Sequence, residues 1–123
     1  MIKKYIYIAG PYTGEFHDHR SYWEIERNIN RSLEAATALA KAGVGFFSPH
    51  GHSAHFEVIA PEVEPNYWYE LDAHFMQMCD AILLLPGWER SKGSLEEKRI
   101  MESWGKQVLY SLESAIRWTQ QYD

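Results

Sequence analysis

Apolar and polar positions along this chain follow two rhythms, one of strands and one of helices. Lys4-Tyr5-Ile6-Tyr7-Ile8-Ala9 is a β-branched and aromatic run. It breaks at Gly10-Pro11-Tyr12-Thr13-Gly14 into a loop carrying Phe16, His17, Asp18 and His19. From Trp23 to Lys41 the apolar residues Ile25, Ile29, Leu33, Ala36 and Ala40 recur at three- and four-residue steps, with Gly43 as a C-terminal stop. The pattern predicts an amphipathic helix there. Val44 to Pro49 reads as a short second strand, and His50 to Pro65 as an irregular stretch. A helix is expected from Asn66 to Cys79, with Trp68, Leu71, Phe75 and Met78 on one face.

The continuous apolar run Ala81 to Leu85 predicts a strand buried on both faces, closed by Pro86-Gly87. After it come a polar loop, a helix from about Ser94 to Trp104, a break at Gly105-Lys106, a strand from Gln107 to Tyr110, and a last helix from Ser111 to about Gln120. Strand and helix alternate throughout. That order predicts an α/β chain, a three-layer Rossmann/flavodoxin-like sandwich with a parallel sheet of four to five strands. At 123 residues it forms a single domain, 1–123.

In such sheets ligands bind beyond the carboxyl ends of the strands. This directs attention to Gly10 and Pro11 after the first strand, and to Ser91, Gly93, Ser94 and Glu97 after the third. The formal charge of −5 disfavours a sequence-independent grip on nucleic acid polymers, which requires a basic surface. A nucleotide-sized ligand is compatible with it. Cys79 is the only cysteine, so neither an intramolecular disulfide nor a cysteine-rich zinc site is available. Met1-Ile2-Lys3-Lys4 leads directly into a strand too short for a signal segment or a membrane span, and the expected location is cytoplasmic, with no membrane partner.

The run Tyr7 to Gly14, Asn28 in the next helix, Asp72 eight residues before Asp80, and Ser91-x-Gly93-x-x-x-Glu97 together resemble the nucleoside 2-deoxyribosyltransferase superfamily. Within it, the chain is most similar to a small bacterial and phage branch of unknown function (the DUF4406 type) and to the deoxynucleoside 5′-monophosphate N-glycosidases. The likeness spans roughly Tyr5 to Tyr110. It implies that Glu97, four residues after the loop glycine, attacks the anomeric carbon of a nucleoside or nucleotide. It also implies that Asp72 holds a sugar hydroxyl, that Tyr7 positions the nucleophile, and that Ser91 binds a 5′-phosphate. No metal or cofactor is implied, and the expected assembly is a homodimer or a higher homo-oligomer. Two departures stand out: Lys98-Arg99 replaces the family's small residue and glycine, and no late serine matches its second phosphate ligand.

The chemistry supports that set independently. An oxocarbenium-like transition state is stabilised by a carboxylate on the anomeric face, or trapped covalently by it. The start of a helix suits a phosphate, and its field is expected to lower the pKa of Glu97. Each residue also has a structural alternative. Glu97 lies in a Glu-Glu-Lys-Arg string that would suit a solvated face, Tyr7 in a doubly buried strand fits a core role equally, and Ser94 reads as a helix N-cap. Asp80 is expected to satisfy a strand start. His50 is expected to contact the base or act as a general acid, and Trp88 to stack on the base or to form a lid. Arg90 or Lys92 would meet a phosphate. The spacing of His50, His52 and His55 also admits a metal, although no cysteine or carboxylate completes a recognised ligand pattern. Three functions are carried forward: N-glycoside cleavage or deoxyribosyl transfer, silent nucleotide binding, and metal-dependent hydrolysis. Tyr67, Trp68 and Tyr69, or Trp118 and Tyr122, are the candidate interface residues.

Overall fold

The computed structural model describes residues 1–13 and 22–121. Gly14, Phe16, His17, Asp18, His19 and Tyr122, named above, lie outside them. The elements run β1 (Tyr5–Ala9), α1 (Tyr22–Lys41), β2 (Gly45–Phe47), α2 (Pro49–His52), α3 (Phe56–Ile59), α4 (Pro65–Gln77), β3 (Ala81–Leu84), a 3-10 turn (Trp88–Arg90), α5 (Lys92–Ser103), β4 (Gln107–Leu109) and α6 (Leu112–Gln120). All pairings in the four-stranded sheet are parallel, in the order β2-β1-β3-β4.

Strand alternation divides the core. Ile6, Ile8, Ala81 and Leu83 point to one face, where Ala35, Ala36 and Leu39 of α1 and Ala115 of α6 cover them. Tyr7, Ala9, Ile82 and Leu84 point to the other, under Met76 of α4 and Met101 of α5. Three layers result. Among the described residues no helix is long and apolar enough to cross a membrane.

Three expectations are corrected by packing. On α1 the buried stripe includes Ser32 and Leu39, whereas Leu33 is 43% exposed. A hydroxyl replaces a methyl group in the core because Ser32 Oγ pairs with Ser48 Oγ at 2.6 Å. On α4 the inward residue is Met76, and Met78, at the C-cap, is 62% exposed. The stretch expected to be irregular folds into the short helices α2 and α3, the first started by Ser48, whose side chain accepts from the Gly51 N–H, with Pro49 in its first turn.

Asp80 binds the strand starts together. It accepts from the Tyr5 N–H at 2.8 Å, while its own N–H donates to the Tyr5 carbonyl at 2.7 Å. This is at the amino ends of β1 and β3, opposite the end where the site lies.

Candidate active site

β1 stands between β2 and β3, so its carboxyl end borders the crevice at which the strand order switches. The Leu85 N–H donates to the Ala9 carbonyl at 2.8 Å as the last link, and the two chains then diverge at Gly10-Pro11 and Pro86-Gly87. Gly87 has φ +93°, and a Cβ there would lie 3.2 Å from Pro11 Cγ. Only glycine brings the two loops this close without strain. The 3-10 turn and α5 follow. Above this point opens a cavity of about 1300 Å³, with Gly10, Pro11, His50, Asp72, Ser94 and Glu97 on its inner surface.

Glu97 and Tyr7 meet across the α5 side of the sheet. Tyr7 is fully buried, and its hydroxyl donates to Glu97 Oε2 at 2.5 Å. Glu97 is half-buried and reaches the cavity. Removal from bulk water pushes its carboxyl up to about 7; the Tyr7 hydrogen bond opposes this and the nearby Asp72 charge reinforces it. Burial likewise raises Asp72 to about 6. The Tyr7 phenol is held well above its usual value by burial and by Glu97 and Asp72, so it stays a donor.

These values correct one expectation. The start of α5 was to keep Glu97 ionised, yet Lys92 opens the helix and Glu97 is its sixth residue, in the second turn. The helix field falls off within the first turn, and desolvation wins. The charged string around it is divided by direction. Glu96 is exposed and paired with Arg99, and Lys98 with Glu102, while Glu97 alone faces inward.

Ser91 is the N-cap of α5, its Oγ accepting from the Ser94 N–H at 3.2 Å. Ser94 is therefore not the cap. It is buried in the first turn, and its Oγ has no hydrogen-bond partner. Gly93 also lines the cavity, and a Cβ there would meet no atom within 4 Å, which leaves the backbone of the helix start open. Trp88 lies outside the cavity lining. Its ring packs on Tyr110 at 5.6 Å between centroids, so the expected base-stacking role is corrected to packing.

His50 lines the cavity, but its Nε2 lies 2.9 Å from the Pro11 carbonyl, which only accepts, so this nitrogen carries the proton. Burial lowers its pKa. A neutral imidazole that holds the backbone is poorly arranged as a general acid, and its role here is to support the first loop. His52 packs on Phe47 and Phe75, and His55, in a left-handed conformation, pairs with Glu26. The three histidines face different partners, and among the described residues no group of three His, Cys, Asp or Glu side chains is placed to hold a metal ion.

Sequence reasoning missed Tyr12 and Glu57. The Tyr12 hydroxyl donates to Glu57 Oε2 at 2.9 Å and accepts the His55 N–H at 2.8 Å. Asn28 Nδ2 donates to the Tyr12 carbonyl at 3.1 Å, which ties this wall to α1. Arg27 and Arg31, also on the cavity, were missed as well; their spacing of four beside Asn28 was the available signal.

No curated protein matches the chain. The branch named from the sequence was the DUF4406 type, and the family model that matches is a different one. That model is described as a domain of unknown function (DUF1937); it spans residues 4–113, and the chain belongs to this family.

Proposed function

We propose that the chain cleaves, or transfers across, the N-glycosidic bond of a nucleoside or nucleoside 5′-monophosphate. The observation carrying this is the Tyr7–Glu97 hydrogen bond beside Asp72, opening on the cavity at the strand switch. The resemblance to the nucleoside 2-deoxyribosyltransferase superfamily agrees with it. In this mechanism a Glu97 carboxylate oxygen attacks the anomeric carbon, and the base departs with the bonding electron pair and takes a proton from water in the open cavity. Water, or a second base, then attacks the same carbon and releases the carboxylate. Tyr7 orients Glu97 by its hydrogen bond. The unpartnered Oδ1 of Asp72 accepts from a sugar hydroxyl and holds the ring for attack. Phosphate at the start of α5 meets the N–H groups that the helix leaves open.

Tyr69 lies at the cavity and is 66% exposed, and a neighbouring copy in a homo-oligomer would complete the wall there. A second reading is a silent nucleotide-binding protein, favoured by Lys98-Arg99 after the nucleophile and by a Glu97 that is half protonated near pH 7. The decisive experiment measures base release by chromatography from ribo- and deoxyribonucleosides and their 5′-monophosphates, with wild type beside a folded Glu97→Ala. Release that disappears in the variant, with transfer on adding a second base, supports the mechanism. Release unaffected by the substitution refutes it, and tight binding without turnover favours the silent reading.

A further inference from the structure

Among the described residues, several cations away from the cavity are already engaged. On the outer surface Lys98 pairs with Glu102, Arg99 with Glu96 and Arg117 with Glu113, and Lys106 donates to the carbonyls of Gln77 and Cys79. Arg31, Arg90 and Lys92 instead line the cavity, and among the described residues none has a carboxylate partner. Arg27, also on the cavity, lies over the Trp23 ring at 4.6 Å. In a chain of net charge −5 this gathering of cations at one place is local.

The positions of these cations matter as much as their number. Arg90 and Lys92 flank the N-cap Ser91 at the start of α5. Arg27 and Arg31 come from a different wall. Ser32 Oγ meets Ser48 Oγ at 2.6 Å just after β2, which fixes the level of α1 against the strand ends. The preceding residues, 22–31, are about 15 Å of helix standing beyond that edge. Arg27, Asn28 and Arg31 form one stripe on that helix, with Glu24 one turn above. The cavity between these walls, about 1300 Å³, exceeds the roughly 300–1000 Å³ of ordinary small-ligand sites. A second mark of an awaited ligand is the buried, unpartnered Ser94 hydroxyl at the α5 end.

We infer that the ligand carries a polyphosphate arm, a nucleoside di- or triphosphate, with its first phosphate at Ser91 and the start of α5 and its distal phosphates on Arg31 and Arg27. This deepens the proposed nucleotide reading and rests on it for the placement of the sugar. Guanidinium groups suit the distal positions because they bind phosphate oxygens in pairs and keep their charge. Among the described residues four carboxylates share the cavity and do not oppose the arm equally: Glu57 is occupied by Tyr12, Glu24 stands one turn from Arg27, and Asp72 and Glu97 belong to the sugar end of the proposed placement.

The test is calorimetric titration with inorganic phosphate, pyrophosphate and tripolyphosphate on wild type, Arg31→Ala, and Arg117→Ala as a control for charge lost elsewhere. Base release from mono-, di- and triphosphates is measured alongside. Tripolyphosphate should bind at least ten-fold tighter than phosphate, and Arg31→Ala should abolish most of that difference while Arg117→Ala keeps it. Equal affinity for the three anions, or an Arg31→Ala protein with the wild-type melting temperature and unchanged preference, overturns the inference. Glu97-dependent release from monophosphates with no gain on longer arms would also overturn it while leaving the proposed function standing. Arg31-dependent tripolyphosphate binding without any base release would sustain the polyphosphate site and count against the glycosidase.

Discussion

Replacing Glu97 by glutamine should stabilise the protein above neutral pH and do nothing for it in acid. The Glu97 carboxyl titrates at about 7 in the folded chain against an ordinary 4.5. The folded state thus holds this proton more tightly than the unfolded one. Stability from the neutral carboxyl is complete below about pH 4.5 and is lost as pH rises through 7. At about 1.4 kcal/mol per pH unit, the full loss is roughly 3 kcal/mol. Water in the open cavity screens part of it, and about 1–3 kcal/mol is expected. Glutamine keeps an oxygen to accept from Tyr7 and has no charge to desolvate. At pH 8 the variant should melt several degrees above wild type, at about 4 °C per kcal/mol for a domain of this size. The advantage should shrink through pH 7 and vanish near pH 4.5, as followed by circular dichroism in matched buffers. A gap that is the same at pH 5 and pH 8, or a variant less stable at pH 8, would refute the assignment of a desolvated charge to this position.

Tyr7→Phe removes the hydrogen bond that favours ionised Glu97. At about 1.5–3 kcal/mol for a bond to a charged group, the acid limb of the base-release profile should move up by about one to two pH units. An unmoved limb would leave Tyr7 as packing only. Asp72→Asn removes a charge that raises Glu97, so the same limb should move to lower pH even as kcat/KM falls; a limb that moves upward contradicts the electrostatic account. Gly87→Ala places a Cβ at φ +93° and 3.2 Å from Pro11 Cγ, and should cost about 1–2 kcal/mol in urea unfolding. A loss below 0.5 kcal/mol, within the range of ordinary surface changes, would mean that the loops relax freely.

The fold was legible because each strand carried its own signal. Ala81 to Leu84 is buried at every position, as a continuous apolar run in a covered parallel sheet requires. Gly93 and Glu97 were legible as a spacing, since four residues bring both to the same side of α5, and both reach the cavity. What could not be read was set by partners distant in sequence. Ser32 joins the core only because Ser48 is there to meet it, and Trp88 turns from the cavity because Tyr110 offers a surface. The Glu97 pKa was misjudged for the same reason. The helix dipole is local and visible in a sequence, whereas desolvation depends on what other elements, β1 with Tyr7 and α4 with Asp72 among them, place around the carboxyl.

That desolvation bears on what the site is for. Among the described residues two buried side-chain polar atoms lack a partner, Asp72 Oδ1 and Ser94 Oγ, and both residues line the cavity that Glu97 faces. Each unsatisfied group costs the fold about 1–3 kcal/mol, and the raised carboxyls add to it. In the bound substrate a sugar hydroxyl would satisfy Asp72, and a phosphate oxygen at the start of α5 would satisfy Ser94. They would leave Glu97 as it is, because a neutral sugar gives no reason for a desolvated carboxyl to ionise. An oxocarbenium-like centre does, since positive charge beside Glu97 and Asp72 favours the ionised form of both. On the proposed reading, most of the electrostatic strain in this corner is relieved only as the glycosidic bond breaks. Interactions of that kind, stronger in the transition state than in the ground state, are the ones that raise a rate.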